Sequence, residues 1–169
     1  MKIPAGPAIV VCRHLSLADG PILAAALPRG CLFAVSPRFA SREPWRFLLQ
    51  SYGWMTGQGM IPLSPEQPMG IKSLFKQLNR GGKVVIYPEG DVSRNGELLP
   101  IQPGTAALWV RSGVPLIPIR YTLKPLRIAP GPAIPAPVSV SAGIAIIDNE
   151  LRRCPSAHVI GKESRGFPG

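Results

Sequence analysis

At 169 residues, with 46% hydrophobic and 17% charged side chains, the chain is long enough to bury a core as one domain and too apolar to be disordered. Lysine and arginine outnumber the acids by 19 to 9, and the formal charge of +10 favours an anionic partner: an acidic carrier protein, a phosphorylated substrate or an anionic membrane surface. The basic residues are scattered and only 7% of side chains are aromatic, which argues against nucleic acid; three widely spaced cysteines and two histidines support neither a disulfide framework nor a zinc site.

The start, Met1 to Pro7, carries two prolines and is not expected to serve as a signal peptide. No apolar run reaches the roughly 18 to 20 residues that span a bilayer. A cytosolic or membrane-surface location is expected. Ala8–Cys12 reads as a first buried strand, followed by a polar loop from Arg13 and a short helix from Pro21 to Leu27, with Asp19 or Gly20 near its cap. Cys31–Val35 is a second strand. Glu43 to Tyr52 has helical spacing through Trp45, Leu48, Leu49 and Tyr52. Gly59–Leu63 is a brief extended piece. Ile71, Leu74, Phe75 and Leu78 mark an amphipathic helix that begins at Pro68 and is closed by Gly81 and Gly82.

Val84 to Tyr87 shows no period-two face and reads as a strand buried on both sides, stopped by Pro88. Glu89, Gly90, Asp91, Ser93 and Arg94 follow at once. Such an abrupt change from apolar to charged residues at a strand end is where open α/β sheets place ligands. Gly104 to Ser112 reads as a helix ended by Gly113. Val114–Ile119 is apolar and extended, and its two prolines suggest an edge or irregular strand. Alternating strands and helices predict an α/β fold with a largely parallel or mixed central sheet flanked by helices. Beyond Tyr121 the expectation is a proline-rich surface excursion over Lys124 to Pro137, then a hairpin or edge strand from Val138–Ser141 and Gly143–Ile147. Residues 151–169 are expected to form a weakly structured tail behind a domain over 1–150, with His158 exposed.

His14 and Asp19 stand five residues apart across the first strand-to-helix turn. At that spacing the carboxylate can fold back onto one imidazole nitrogen and leave the other free to take a proton. The same pair also fits a polar loop with a capping aspartate and a surface histidine. Other motifs are excluded more firmly. Gly57-Gln58-Gly59 has Pro62 where a dinucleotide site needs glycine, Gly81-Gly82-Lys83 lacks a P-loop hydroxyl, and neither GxSxG nor HExxH occurs.

Taken together, His14-Leu15-Ser16-Leu17-Ala18-Asp19, then Pro88-Glu89-Gly90 and then Val114-Pro115-Leu116-Ile117-Pro118 closely resemble the glycerolipid acyltransferase family, the lysophosphatidic-acid acyltransferase-like proteins with an HxxxxD motif. The resemblance runs from about Ala8 to Tyr121. The segments Pro62 to Met69 and Val84 to Gly90 look most like a subgroup, the acyltransferase half of bacterial bifunctional acyl-glycerophosphoethanolamine acyltransferase/acyl-carrier-protein synthetases. The resemblance implies that His14 deprotonates the free glycerol hydroxyl of a lysophospholipid, lysophosphatidylethanolamine or lysophosphatidic acid, which then attacks an acyl thioester. Asp19 orients the imidazole. It implies substrate contacts from Ser16, Glu89, Gly90 and Arg94 on the acceptor side and from Pro115 and Pro118 on the acyl side.

No cofactor and no metal are implied, only acyl-carrier protein or acyl-coenzyme A as co-substrate, at the cytoplasmic face of a membrane held peripherally. Relatives often carry extra segments before the motif, whereas 13 residues precede His14 here, so a shortened fragment is expected. Arg13 replaces a common asparagine, and Asp91 and Val92 stand where a basic residue usually follows Glu-Gly. Arg94, Lys83 or Arg13 would then have to meet the phosphate. A catalytically silent lipid- or carrier-binding domain of the same fold is the alternative.

Overall fold

The protein is described by a computed structural model over residues 2–36, 45–63, 68–93, 96–123 and 126–153. Among these residues six strands and five helices follow in the order β1 (Ala8–Cys12), α1 (Asp19–Ala26), β2 (Leu32–Val35), α2 (Trp45–Thr56), β3 (Gly59–Pro62), α3 (Pro68–Asn79), β4 (Lys83–Ile86), α4 (Pro103–Ser112), β5 (Leu116–Leu123), β6 (Leu126–Pro130) and α5 (Val140–Arg152). The strands form one sheet in the order β3-β2-β4-β1-β5-β6. All pairings are parallel except β5 with β6. The expected α/β architecture is the observed one.

The apolar strands alternate across the sheet and feed two cores, because a parallel sheet must bury both of its faces. Ile9, Val11, Val84, Ile86 and Leu116 pack with Leu74 and Leu78 of α3, Trp109 of α4, and Ile147 and Leu151 of α5. Ala8, Val10, Cys12, Val85, Ile117 and Ile119 pack on the other side with Leu23 and Ala24 of α1 and with Phe33. Helix α4 ends at Gly113, whose φ of 66° takes the left-handed conformation of a helix C-cap.

Three expectations beyond Val114 are corrected. Strand β5 is not an edge or irregular strand; it lies between β1 and β6. Its prolines fit because Pro115 O accepts Ile9 N on the β1 side at 3.0 Å, whereas Pro118 presents its carbonyl to Gly131 N at 2.7 Å on the other side. The missing Pro118 donor therefore faces away from β1 and breaks no bond of that ladder. The Lys124–Pro137 stretch is not wholly a surface excursion, since Leu126–Pro130 pairs antiparallel with β5 and Ile134 bridges Leu116.

The residues expected to form a final hairpin or edge strand are helical instead. Ser139 caps α5 by accepting Ala142 N at 3.2 Å, and Ile147 and Leu151 bury one face of it. Gly143 lets α5 approach α4, since a Cβ there would stand 3.2 Å from Ala106 Cβ. Leu151, placed in the weakly structured tail by its sequence, is fully buried, and residues 154–169 lie outside the described part of the chain.

Candidate active site

Strands β1 and β4 are neighbours and parallel, so the loops leaving their C-terminal ends meet. The β1 loop is built around Asp19, the first residue of α1, which is fully buried. Its carboxylate does not cap the helix; it folds back over the loop. Oδ2 accepts Leu15 N at 2.6 Å and Ser16 N at 2.7 Å, and Oδ1 accepts the Ser16 hydroxyl at 2.8 Å. The same Oδ2 lies 3.2 Å from Nδ1 of His14. An oxygen that already receives two backbone amides acts as an acceptor, so Nδ1 carries the proton and Nε2 is the unprotonated nitrogen.

The β4 loop holds the other side of His14. Glu89, 3% exposed, accepts His14 N on Oε1 at 2.8 Å and Leu99 N on Oε2 at 2.9 Å. The His14 carbonyl accepts Ser93 N at 2.8 Å. Both backbone groups of the histidine are thereby tied to the loop between β4 and α4. Gly90, at φ 74°, closes a turn onto Tyr87 O at 3.0 Å, a conformation that side-chain-bearing residues rarely adopt. The Tyr87 ring lies against the imidazole with centroids 4.3 Å apart and planes 21° apart. Burial pushes the Tyr87 phenol well above its ordinary pKa, and the neighbouring Cys12 and Asp19 add to this, so the side chain stays uncharged.

His14 opens onto a cavity of about 800 Å³. Strands β2 and β4 pair over only Leu32↔Val84 and Phe33↔Val85, whereas β1–β4 and β2–β3 continue further along. Past those pairs the two strands part, and Ala34, Val35, Ile86 and Tyr87 line the gap. Leu74 and Leu108 close it from one face of the sheet, and Phe33 and Met60 from the other. The result is an apolar slot with a titratable group at its mouth, the usual composition of a small-ligand site.

Of the residues that the sequence singled out, His14, Glu89 and Gly90 line this cavity together. Asp19 stands directly behind His14. Ser16 is used internally, its hydroxyl donating to Asp19 and accepting Ala18 N. Pro115 lies by Ile9, at the opposite end of the sheet, and Pro118 lies beside Val11; neither lines the cavity. Arg94 falls outside the described residues. Lys83 begins β4 and donates to Gly6 O at 2.9 Å, also at the far end, while Arg13 is buried and donates to Gly96 O at 2.7 Å. No lysine or arginine lines the cavity among the described residues, and Asp91 does.

The sequence marks Tyr87 only as the last residue of a strand. The available signal was its place two residues before Glu89, next to Pro88, at the strand end that faces His14.

A family model described as Acyltransferase matches residues 1–122. The 1-acyl-sn-glycerol-3-phosphate acyltransferase beta of Homo sapiens is 27% identical over 121 residues, covering 70% of this chain and 42% of that protein. The chloroplastic 1-acyl-sn-glycerol-3-phosphate acyltransferase BAT2 of Brassica napus is 31% identical over 78 residues, covering 43% of this chain and 23% of that one. The chain thus spans less than half the length of these curated relatives. The crystal structure of the 1-acyl-sn-glycerophosphate (LPA) acyltransferase PlsC from Thermotoga maritima superposes with a TM-score of 0.67 at 16% identity, over 89% of this chain and 66% of that one, and shares its fold. With the matched region containing both loops that meet at His14, the chain belongs to the Acyltransferase family.

Proposed function

We propose that the protein transfers a fatty acyl group from an acyl thioester, on acyl-carrier protein or coenzyme A, to the free glycerol hydroxyl of a lysophospholipid. The observation that carries this reading is the His14–Asp19 pair opening onto a long apolar slot. Nε2 of His14 takes the hydroxyl proton as the oxygen attacks the thioester carbonyl carbon. The C–S bond then breaks, and the proton passes from the imidazolium to the departing thiolate. Asp19 stabilises the imidazolium and keeps Nδ1 protonated. The slot takes the acyl chain, whose apolar surface matches its walls. The step runs directly from thioester to ester, without a covalent enzyme intermediate or a further cofactor.

The likeness of Pro62 to Met69 and of Val84 to Gly90 to the acyl-glycerophosphoethanolamine subgroup makes the ethanolamine lysolipid the favoured acceptor, with lysophosphatidic acid as the competitor. Access from a bilayer surface is consistent with the exposed apolar residues Phe47, Leu48, Trp54 and Met55 on α2 and Met69 and Ile71 on α3, two of which, Leu48 and Ile71, also line the cavity. Among the described residues no helix is long and apolar enough to cross a membrane. The charge of +10 would add attraction to an anionic leaflet.

Lipid mass spectrometry with each lysolipid, paired with acyl-carrier-protein or coenzyme A thioester on vesicles, tests this reading. Diacyl product with the ethanolamine acceptor is expected. Absence of product with every pair from folded protein would leave the silent binding domain.

Glu89 separates two further expectations. The family resemblance assigns it to the acceptor, whereas the structure gives both of its oxygens to backbone amides of the two active-site loops. Glu89→Gln keeps one acceptor oxygen but presents an amide donor to the other N–H, and should lower kcat roughly tenfold or more through a displaced His14, with a smaller change in acceptor KM. Steady-state kinetics over acceptor concentration distinguish the two: a rise in KM alone would return Glu89 to the acceptor site.

A further inference from the structure

The hydrogen bond to Asp19 does not by itself fix the imidazole plane of His14. At 3.2 Å it is the longest of the three contacts to Oδ2, which Leu15 N and Ser16 N approach to 2.6 and 2.7 Å. A single hydrogen bond anchors one point of a ring and leaves rotation about that line open. The Tyr87 ring supplies a second, planar constraint at 4.3 Å.

Tyr87 is itself well anchored. It follows β4 directly, packs against the core on the α1 side, and its carbonyl accepts Gly90 N. Its hydroxyl is buried and makes no hydrogen bond among the described residues. The ring face, and not the polar tip, is therefore what this residue offers to the site.

We propose that Tyr87 is a positioning residue for acyl transfer, its stacked ring setting the plane of His14 so that Nε2 faces the cavity. The proposal rests on the transferase reading above. Two elements then divide the work on one imidazole: Asp19, from α1, sets which nitrogen carries the proton, and Tyr87, from the end of β4, sets where the other nitrogen points. A misdirected base costs rate more than it weakens substrate binding, provided the residue that replaces Tyr87 keeps an apolar wall where Tyr87 lines the cavity.

The test compares Tyr87→Leu and Tyr87→Phe in the full chain. The leucine variant should lose roughly ten- to a hundredfold in kcat, with acceptor KM within about twofold of wild type. Phenylalanine, which retains the ring, should recover kcat to within about threefold. The His14 ring-proton resonances, assigned through His14→Ala, should show the displacement of a stacked ring in wild type and Tyr87→Phe and lose it in Tyr87→Leu. Equal kcat in all three proteins overturns the proposal. So does equal loss in Tyr87→Phe and Tyr87→Leu, which would assign the role to the hydroxyl. Should the leucine variant not fold, Tyr87→Met carries the same comparison. If the wild-type protein transfers no acyl group, the transferase reading falls separately, and the His14 resonances still decide whether the Tyr87 ring lies on the imidazole.

Discussion

His14→Ala should lower acyl transfer by about a hundred- to ten-thousandfold, the range over which a positioned general base contributes. The expectation follows from where the side chain ends: one nitrogen meets Asp19, one ring face meets Tyr87, and the side chain, 18% exposed, reaches the cavity. The backbone bonds that tie this residue to Glu89 and Ser93 do not need the imidazole and survive in alanine. The variant should therefore fold with a melting temperature within a few degrees of wild type and still bind lysolipid vesicles. Transfer measured by product mass, with thermal unfolding in parallel, checks both halves. Activity within tenfold of wild type would remove His14 from the chemistry.

Asp19 should be the second most sensitive position, and the choice of substitution decides what is learned. Asp19→Ala removes the acceptor of Leu15 N, Ser16 N, the Ser16 hydroxyl and His14 Nδ1 together. Each buried donor left unpaired costs about 1–3 kcal/mol, so this variant tests the loop more than the reaction. Asp19→Asn keeps the shape and one acceptor oxygen, and the Ser16 hydroxyl can turn to accept from the new amide. What disappears is the negative charge that stabilises the imidazolium and interacts with the N-terminus of α1. A fall in kcat of about a hundredfold or more is expected. The accompanying loss of stability should be about 1–3 kcal/mol, the size of charge-assisted hydrogen bonds. Chemical denaturation and kinetics on the same preparation separate the terms. An asparagine variant of full activity would mean that the carboxylate only shapes the loop.

Much of this site was open to a reading of residues alone. The His14–Asp19 spacing and the run from Val84 to Gly90 are local, and local sequence decides local geometry: an apolar strand end, a turn that only glycine enters easily, an aspartate within reach of the preceding loop. The first five strands and four helices were legible for the same reason, since each announces itself within about a dozen residues. Misreadings gathered where the deciding contact was distant. Ser139 to Leu151 contains β-branched residues that favour extended chain and a glycine that disfavours helix, and its helix is settled by packing on Trp109 and Ala106. Pro118 looked like an edge marker because composition does not reveal which side of a strand lacks a donor.

The sequence by itself determined the fold class, the pair of residues at the mouth of the site and the charge the protein presents. Only the tertiary structure decided how those residues are held and what stands in front of them. Glu89 lies 75 positions from His14, and Tyr87 lies 73; their carboxylate clamp and ring stack exist because β1 and β4 are adjacent in the sheet. The slot likewise arises where β2 and β4 stop pairing, a property of two strands about 50 residues apart and of neither alone. Hydrophobic patterning specifies which faces are buried, but backbone pairing between distant segments specifies which side chains meet.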